Sequence, residues 1–232
     1  VGRVDEVNTG AYKGLAVYAA PRIHQVACDF VMEAVPDKNA RILVLGAGSG
    51  AFDERLYDMG YKNITACEYN KEVYKGRFPL VSLDLNEDFS SIGSFDCVVA
   101  LELIEHLENH FHFLRNCYSL LTIGGAVIIS TPNVESSLSR LKFFLRGDLN
   151  YFSRHEMLHT GHINPVFKEV LIYYAEYIGF MTKKVGGNSS VWNLGQYQSL
   201  VQKVTMIILY IISLVERNKD SRQIGIYSFI KK

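Results

Sequence analysis

Residues 41–51 read Arg41-Ile-Leu-Val-Leu45-Gly46-Ala-Gly48-Ser-Gly50-Ala51, and the change of character at Gly46 decides the fold. Ahead of it stands a short continuous apolar run, the kind that forms a strand covered on both faces. Behind it glycines recur at alternate positions, where a strand would turn into a helix. Glycine lets backbone approach a ligand that a side chain would exclude, and a helix N-terminus offers N–H groups without partners. Taken alone, the loop also fits a ligand-free glycine turn or, with Ala51, the degenerate dinucleotide pattern.

Apolar runs of the same type recur outward from this point at 63–67, 80–83, 95–101, 126–131, 182–185 and 224–230, so seven strands are expected. Helical spacing appears from Pro21 to near Pro36 (Ile23, Val26, Ala27, Phe30, Val31, Ala34), at 107–121 (Leu107, Phe111, Leu114, Tyr118, Leu121) and at 165–178. Strands alternating with helices predict an α/β, Rossmann-like domain over 1–232, its mainly parallel sheet flanked by helices on both faces. The alternation breaks at the end. A long segment, 186–223, separates the last two strands, and a second excursion, 134–164, follows the fifth strand; both read as insertions into one domain.

Composition narrows the partners. Lysine plus arginine balance aspartate plus glutamate at 24 each, so no long-range field draws the chain to nucleic acid or an anionic membrane. A chain that is 48% hydrophobic can bury a sizeable core. Cys28, Cys67, Cys97 and Cys117 form no CxxC pair, and the first residues lack the pattern of a signal peptide, so a reduced, cytoplasmic compartment is expected.

Two acids follow the glycine loop at consecutive strand ends, where ligands of open α/β sheets bind. Glu68 ends the second strand, where a carboxylate can accept both hydroxyls of a ribose. Asp84 ends the third, where an acid and its neighbours can meet an adenine amino group.

With these residues the chain resembles the class I S-adenosylmethionine (SAM)-dependent methyltransferases over roughly 42–180. The likeness rests on Val44-Leu-Gly-Ala-Gly-Ser-Gly50, Ala66-Cys-Glu68, Leu83-Asp84, Phe95-Asp-Cys-Val-Val99, Leu121-Thr-Ile-Gly-Gly-Ala-Val-Ile-Ile-Ser-Thr-Pro132 and Ile178-Gly-Phe180. The resemblance implies a sheet that ends in an antiparallel pair. It also implies a glycine loop under the methionine portion of SAM, Glu68 on the ribose and Asp84 at the adenine. The expected cofactor site is therefore Gly46, Ala47, Gly48, Gly50, Glu68, Tyr69, Asp84, Leu85 and Leu101. One position departs: many members carry an acid two residues before the first glycine, and this chain has Val44.

A second constellation, Leu101-Glu-Leu-Ile-Glu-His-Leu107, follows the fourth strand. On a helical turn Glu102, Glu105 and His106 would stand at i, i+3 and i+4 and face one point. Two carboxylates and an imidazole suit a divalent metal, or leave His106 as general base. The pattern is similar to the ubiquinone-pathway O-methyltransferases and the small-RNA 3′-end methyltransferases. That similarity implies Mg²⁺ or Mn²⁺ on Glu102, Glu105, His106 and a later histidine: His162, with His159 as competitor. The expected catalytic residues are His106, Glu105 and His162; the alternative is a histidine that only shapes the pocket or acts as base without metal.

The insertion at 134–164 interleaves Arg140, Lys142, Arg146 and Arg154 with Phe143, Phe144, Tyr151 and Phe152. This suits a phosphate, carboxylate or sugar, or else a solvated amphipathic helix. The run 204–215 is apolar nearly all round but too short for a bilayer, which needs about 20 residues. It is expected in the core, in a homodimer interface or against the inner face of a membrane, beside the substrate entrance.

The combination is loosely similar to bacterial methyltransferases of surface-polysaccharide and related glycan synthesis. The expected activity is methyl transfer to a hydroxyl of a small-molecule, glycan or lipid-linked acceptor. An RNA 3′-end 2′-O-methyltransferase is disfavoured by zero net charge and the lack of a basic stripe. A nicotinamide dehydrogenase lacks its Tyr-x-x-x-Lys, and a non-catalytic SAM-binding regulator would have no chemical need of Glu102, Glu105 and His106.

Overall fold

The computed structural model describes residues 10–188, Val204, Ile207 and 222–232. A seven-stranded sheet runs β5-β4-β3-β6-β7-β9-β8. Its strands are β3 (Arg41–Leu45), β4 (Asn63–Cys67), β5 (Leu80–Val81), β6 (Phe95–Leu101), β7 (Leu121–Pro132), β8 (Phe180–Gly187) and β9 (Ile224–Lys231). The first five are parallel, and β9 lies antiparallel between β7 and β8. The seven expected strands, and the antiparallel end, are all present.

Alternation along each strand fills a core on either side. Leu43, Leu45, Val98, Ala100, Val127 and Ile129 pack on one face against α3 (His110–Leu120) and α6 (Lys168–Ile178). Ile42, Val44, Cys97, Val99, Ala126 and Ile128 pack on the other against α1 (Ile23–Ala34) and α2 (Ala51–Asp58). This double burial is why the strands are apolar without a break. All four cysteines are free and buried in these layers.

The structure differs from expectation in three places that bear on the site. The third strand stops at Val81, so Asp84 lies beyond it in a turn, where its Oδ1 accepts the Asn86 backbone N–H at 2.9 Å. The helix expected from Leu107 begins at His110, capped by the Asn109 side chain; a single 3₁₀ turn, Ile104–His106, precedes it. The insertion after β7 holds two helices, α4 (Ser137–Arg146) and α5 (Arg154–His159).

A strap missed in the sequence precedes α1. Strands β1 (Ala11–Tyr12) and β2 (Leu15–Ala16) form a hairpin whose Lys13-Gly14 turn has both φ angles positive, at 50° and 80°, the combination that matches strand twist in a two-residue loop. Tyr12 and Lys13 fasten it to Asp58 at the end of α2. Of the run 204–215, only Val204 and Ile207 are described, both exposed, so the readings made for it lie outside the described residues. Among the described residues no helix is long and apolar enough to cross a membrane.

Candidate active site

A cleft opens at the carboxyl ends of β3 and β6, lined by Gly46 to Ser49, Val44, Leu101 and, from the strap and α1, Tyr18 and His24. Gly46 takes φ +65°, and a Cβ there would lie 3.0 Å from Leu103; Gly48 takes φ +54°, and a Cβ there would lie 3.0 Å from the Tyr18 ring. Only glycine gives both the turn and the close approach. The strap is tied to this floor by the Ser49 hydroxyl, which donates to the Ala16 carbonyl at 2.6 Å.

Glu68 sits at the adjoining strand end as expected. Its Oε2 accepts the Gly48 backbone N–H at 2.9 Å and its Oε1 accepts that of Asn70 at 3.1 Å. The carboxylate thus shapes the glycine loop. Tyr69 is exposed, Leu85 is buried beneath the exposed Asp84, and Leu101 lines the cleft.

The second centre begins a few residues beyond Leu101. Glu105, His106 and His162 bring one ligand atom each within 4.8 Å of one another. His162 arrives because residues 161–164 are stapled to the 3₁₀ turn. The Ile163 and Asn164 backbone N–H groups both donate to the Glu105 carbonyl at 3.1 Å, and the Asn164 side chain donates to the Leu107 carbonyl at 3.1 Å. The competitor His159 is exposed on α5 and bonds the His155 carbonyl instead.

Both clustered histidines are aimed by backbone. A carbonyl can only accept, so Nδ1–H of His106 donates to Gly161 at 3.1 Å and Nδ1–H of His162 to Tyr151 at 3.0 Å. Such a bond from Nδ1 is the arrangement that orients the ring in metal-binding and basic histidines. Burial, with His162 adding to it, holds the His106 pKa below its ordinary value, so the ring is neutral at neutral pH. Of the aromatics in the insertion, Tyr151 and Phe152 pack against His162, whereas Phe143 and Phe144 face solvent.

Glu105 is fully buried, and neither carboxylate oxygen has a hydrogen-bond partner. Burial first, and the Glu102 carboxylate in smaller part, pushes its pKa up to about 8.

Glu102 stands outside the cluster. The expected i, i+3, i+4 spacing needs a helix through all three residues, but Glu102 takes φ +49° and the 3₁₀ turn starts only at Ile104. Its Oε1 accepts the Ala20 backbone N–H at 2.9 Å, so it latches the strap, and burial raises its pKa to about 7. Replacing Glu102 with Ala removes the acceptor, at a cost on the order of 1–2 kcal/mol. The Ala20 amide should then exchange with deuterium about tenfold faster; unchanged protection would show that Glu102 is not the latch.

Comparison with known proteins gives one family match and many structural ones. The model of a methyltransferase domain matches residues 18–174. A ubiquinone biosynthesis O-methyltransferase of Xanthomonas campestris pv. campestris is 30% identical over 122 residues, 48% of this chain and 51% of that protein. The chain thus spans about half the length of the curated relatives it matches. A SAM-dependent methyltransferase from Archaeoglobus fulgidus superposes with a TM-score of 0.64 at 22% identity, covering 90% of this chain and 94% of the other. The magnesium protoporphyrin IX methyltransferase of Synechocystis PCC 6803 superposes with a TM-score of 0.58 at 16% identity, covering 90% and 84%.

Proposed function

The chain belongs to the methyltransferase-domain family, as a class I SAM-dependent member, and from that premise we propose that it methylates a hydroxyl of a small-molecule, glycan or lipid-linked acceptor, in surface-polysaccharide or related synthesis. One observation carries the oxygen specificity. Two imidazoles oriented by backbone and a buried carboxyl converge within 4.8 Å at the strand end that also lines the glycine cleft. A hydroxyl nucleophile needs its proton removed as it attacks, and a positioned base contributes typically about 10²- to 10⁴-fold.

SAM when bound supplies an electrophilic methyl carbon on a sulfonium. The residues of this chain align and deprotonate. Leu103 against Gly46 ties the glycine loop to the turn that carries His106, so acceptor and donor are held on one rigid segment. With SAM bound, the acceptor oxygen would displace the sulfur at that methyl carbon, and His106 Nε2 would take the hydroxyl proton. The basic, aromatic insertion that brings Tyr151 and Phe152 to His162 supports an anionic or sugar-bearing acceptor.

A second reading is favoured by Glu105. A buried carboxylate with both oxygens unpartnered is costly unless a cation or proton satisfies it. Glu105, His106 and His162 fit a divalent ion, and a set with two imidazoles suits Mn²⁺ better than Mg²⁺. Such an ion would lower the acceptor hydroxyl's pKa. Chelator abolishing turnover while SAM binding survives would support it, with Glu105→Gln and His162→Ala mimicking chelation. Full turnover in excess chelator would leave His106 as the metal-free base.

The donor site has its own test. Replacing Glu68 with Ala removes a charge-assisted contact to the ribose and should weaken SAM binding by about 2 kcal/mol. Undiminished binding by calorimetry would remove Glu68 from the site.

A further inference from the structure

Tyr151 stands in a backbone conformation that its side chain disfavours. The Phe152 backbone N–H donates to the Leu149 carbonyl at 3.1 Å, closing a turn over residues 149–152, and Tyr151, at its third position, takes φ +69°. A turn with positive φ there gives that position to glycine or asparagine. Tyrosine is strained in it, and the favoured residue, Asn150, stands one place too early.

Three contacts hold the turn. The Asn150 backbone N–H donates at 3.0 Å to the Oγ of Ser139, which is buried in α4. The Tyr151 carbonyl accepts Nδ1–H of His162 at 3.0 Å, and the Tyr151 hydroxyl donates to Oε1 of Gln223 at 3.2 Å. Gln223 is itself fixed just ahead of β9. Its carbonyl accepts the Asn133 backbone N–H at 2.8 Å, and the Asn133 side chain donates to the neighbouring Arg222 carbonyl at 2.9 Å. One residue thus joins the insertion both to the end of the sheet and to His162.

We propose that Tyr151 is a positioning residue of the centre: its hydroxyl, bonded to Gln223, holds the strained turn that aims its carbonyl at His162. This role deepens the reading of Glu105, His106 and His162 given above and rests on it.

A left-handed conformation costs a tyrosine free energy of the order of one hydrogen bond, so it persists where the surroundings fix it. Here the hydroxyl supplies the fixing, at a point on the sheet that the turn does not otherwise reach. With Nδ1–H of His162 committed to the carbonyl, Nε2 is the nitrogen left to a cation or a proton. The Tyr151 ring lies 6.4 Å from that of His162 between centroids, and Phe152 lies closer, at 5.6 Å. Packing on His162 therefore falls mainly to Phe152, and orientation to the Tyr151 backbone.

Hydroxyl anchoring and ring packing give opposite orders of variants. Nuclear magnetic resonance of protein with isotope-labelled histidine rings reads the exchange of the His162 Nδ1 proton with water, its signal identified by its loss in His162→Ala. Tyr151→Phe keeps the ring but frees the turn, so this proton should exchange about tenfold faster. Gln223→Leu, which removes the partner and leaves Tyr151 in place, should do the same. Tyr151→Asn, smaller and without the hydroxyl, tolerates the positive φ and should keep exchange within about twofold of wild type. Thermal melts show that each variant folds. Protection kept in Tyr151→Phe and lost in Tyr151→Asn would assign the role to ring packing and overturn the proposal. Variants indistinguishable from wild type would overturn it too, as would a wild-type proton that exchanges as freely as that of an exposed histidine. Failure of the centre is read separately: full turnover in His162→Ala would end the reading on which the role rests, whatever the exchange shows.

Discussion

Replacing His106 with Ala is expected to lower kcat by about 10²- to 10⁴-fold while SAM binding stays within about twofold. The two effects separate because His106 belongs to the centre beyond the glycine loop. It bonds the Gly161 carbonyl and packs edge-on to His162. Its neutral Nε2 is the only ring atom left to take the acceptor's proton, since Nδ1–H is committed to a carbonyl. Alanine deletes that lone pair and leaves Glu68 and Gly46 to Gly50 untouched. A variant that lost SAM affinity in step with turnover would place His106 in the donor site and end its assignment as base. The chelator experiment on wild type decides whether the same nitrogen acts on the proton or on a cation.

Glu105→Gln should stabilise the metal-free protein, and on the metal reading it should also inactivate it. The folded state holds the Glu105 carboxyl up to about 8, against an ordinary value of 4.5, because burial disfavours the charged form. Between those two values the folded state binds more protons at this site than the unfolded state. Stability from the neutral carboxyl is therefore fully present below about pH 4.5 and is lost as pH rises through about 8. At pH 7 the loss is on the order of 3 kcal/mol, and glutamine, which cannot ionise, escapes it. The stability difference between variant and wild type should thus widen across that window when unfolding is followed against pH in chelator. On the metal reading, Mn²⁺ should raise the Tm of wild type and not of the variant. Parallel stability curves for the two proteins would show that Glu105 carries no such strain.

Much of this molecule is legible in local patterns. A strand buried on both faces is apolar nearly throughout, so 41–45 and 95–101 announced themselves, and the glycines at 46, 48 and 50 marked the turn that follows the first of them. Glu68 was legible because a strand end fixes where the following acid stands. The cluster of Glu105, His106 and His162 was half legible. Glu105 and His106 are near neighbours on a turn, but spacing alone could not tell a helix from the 3₁₀ turn, so it joined Glu102 to a group that Glu102 does not enter.

What the sequence by itself determined is the order of strands and helices and the chemistry gathered at the strand ends, because periodicity and glycine placement act within a few residues. Only the tertiary structure decided that His162 and not His159 joins Glu105 and His106, and that Glu102 latches Ala20. Each of these depends on contacts between segments far apart in the chain, such as the Ile163 and Asn164 amides on the Glu105 carbonyl. The energy of such contacts comes from where the folded backbone places its donors, and no local spacing of residue types encodes that position.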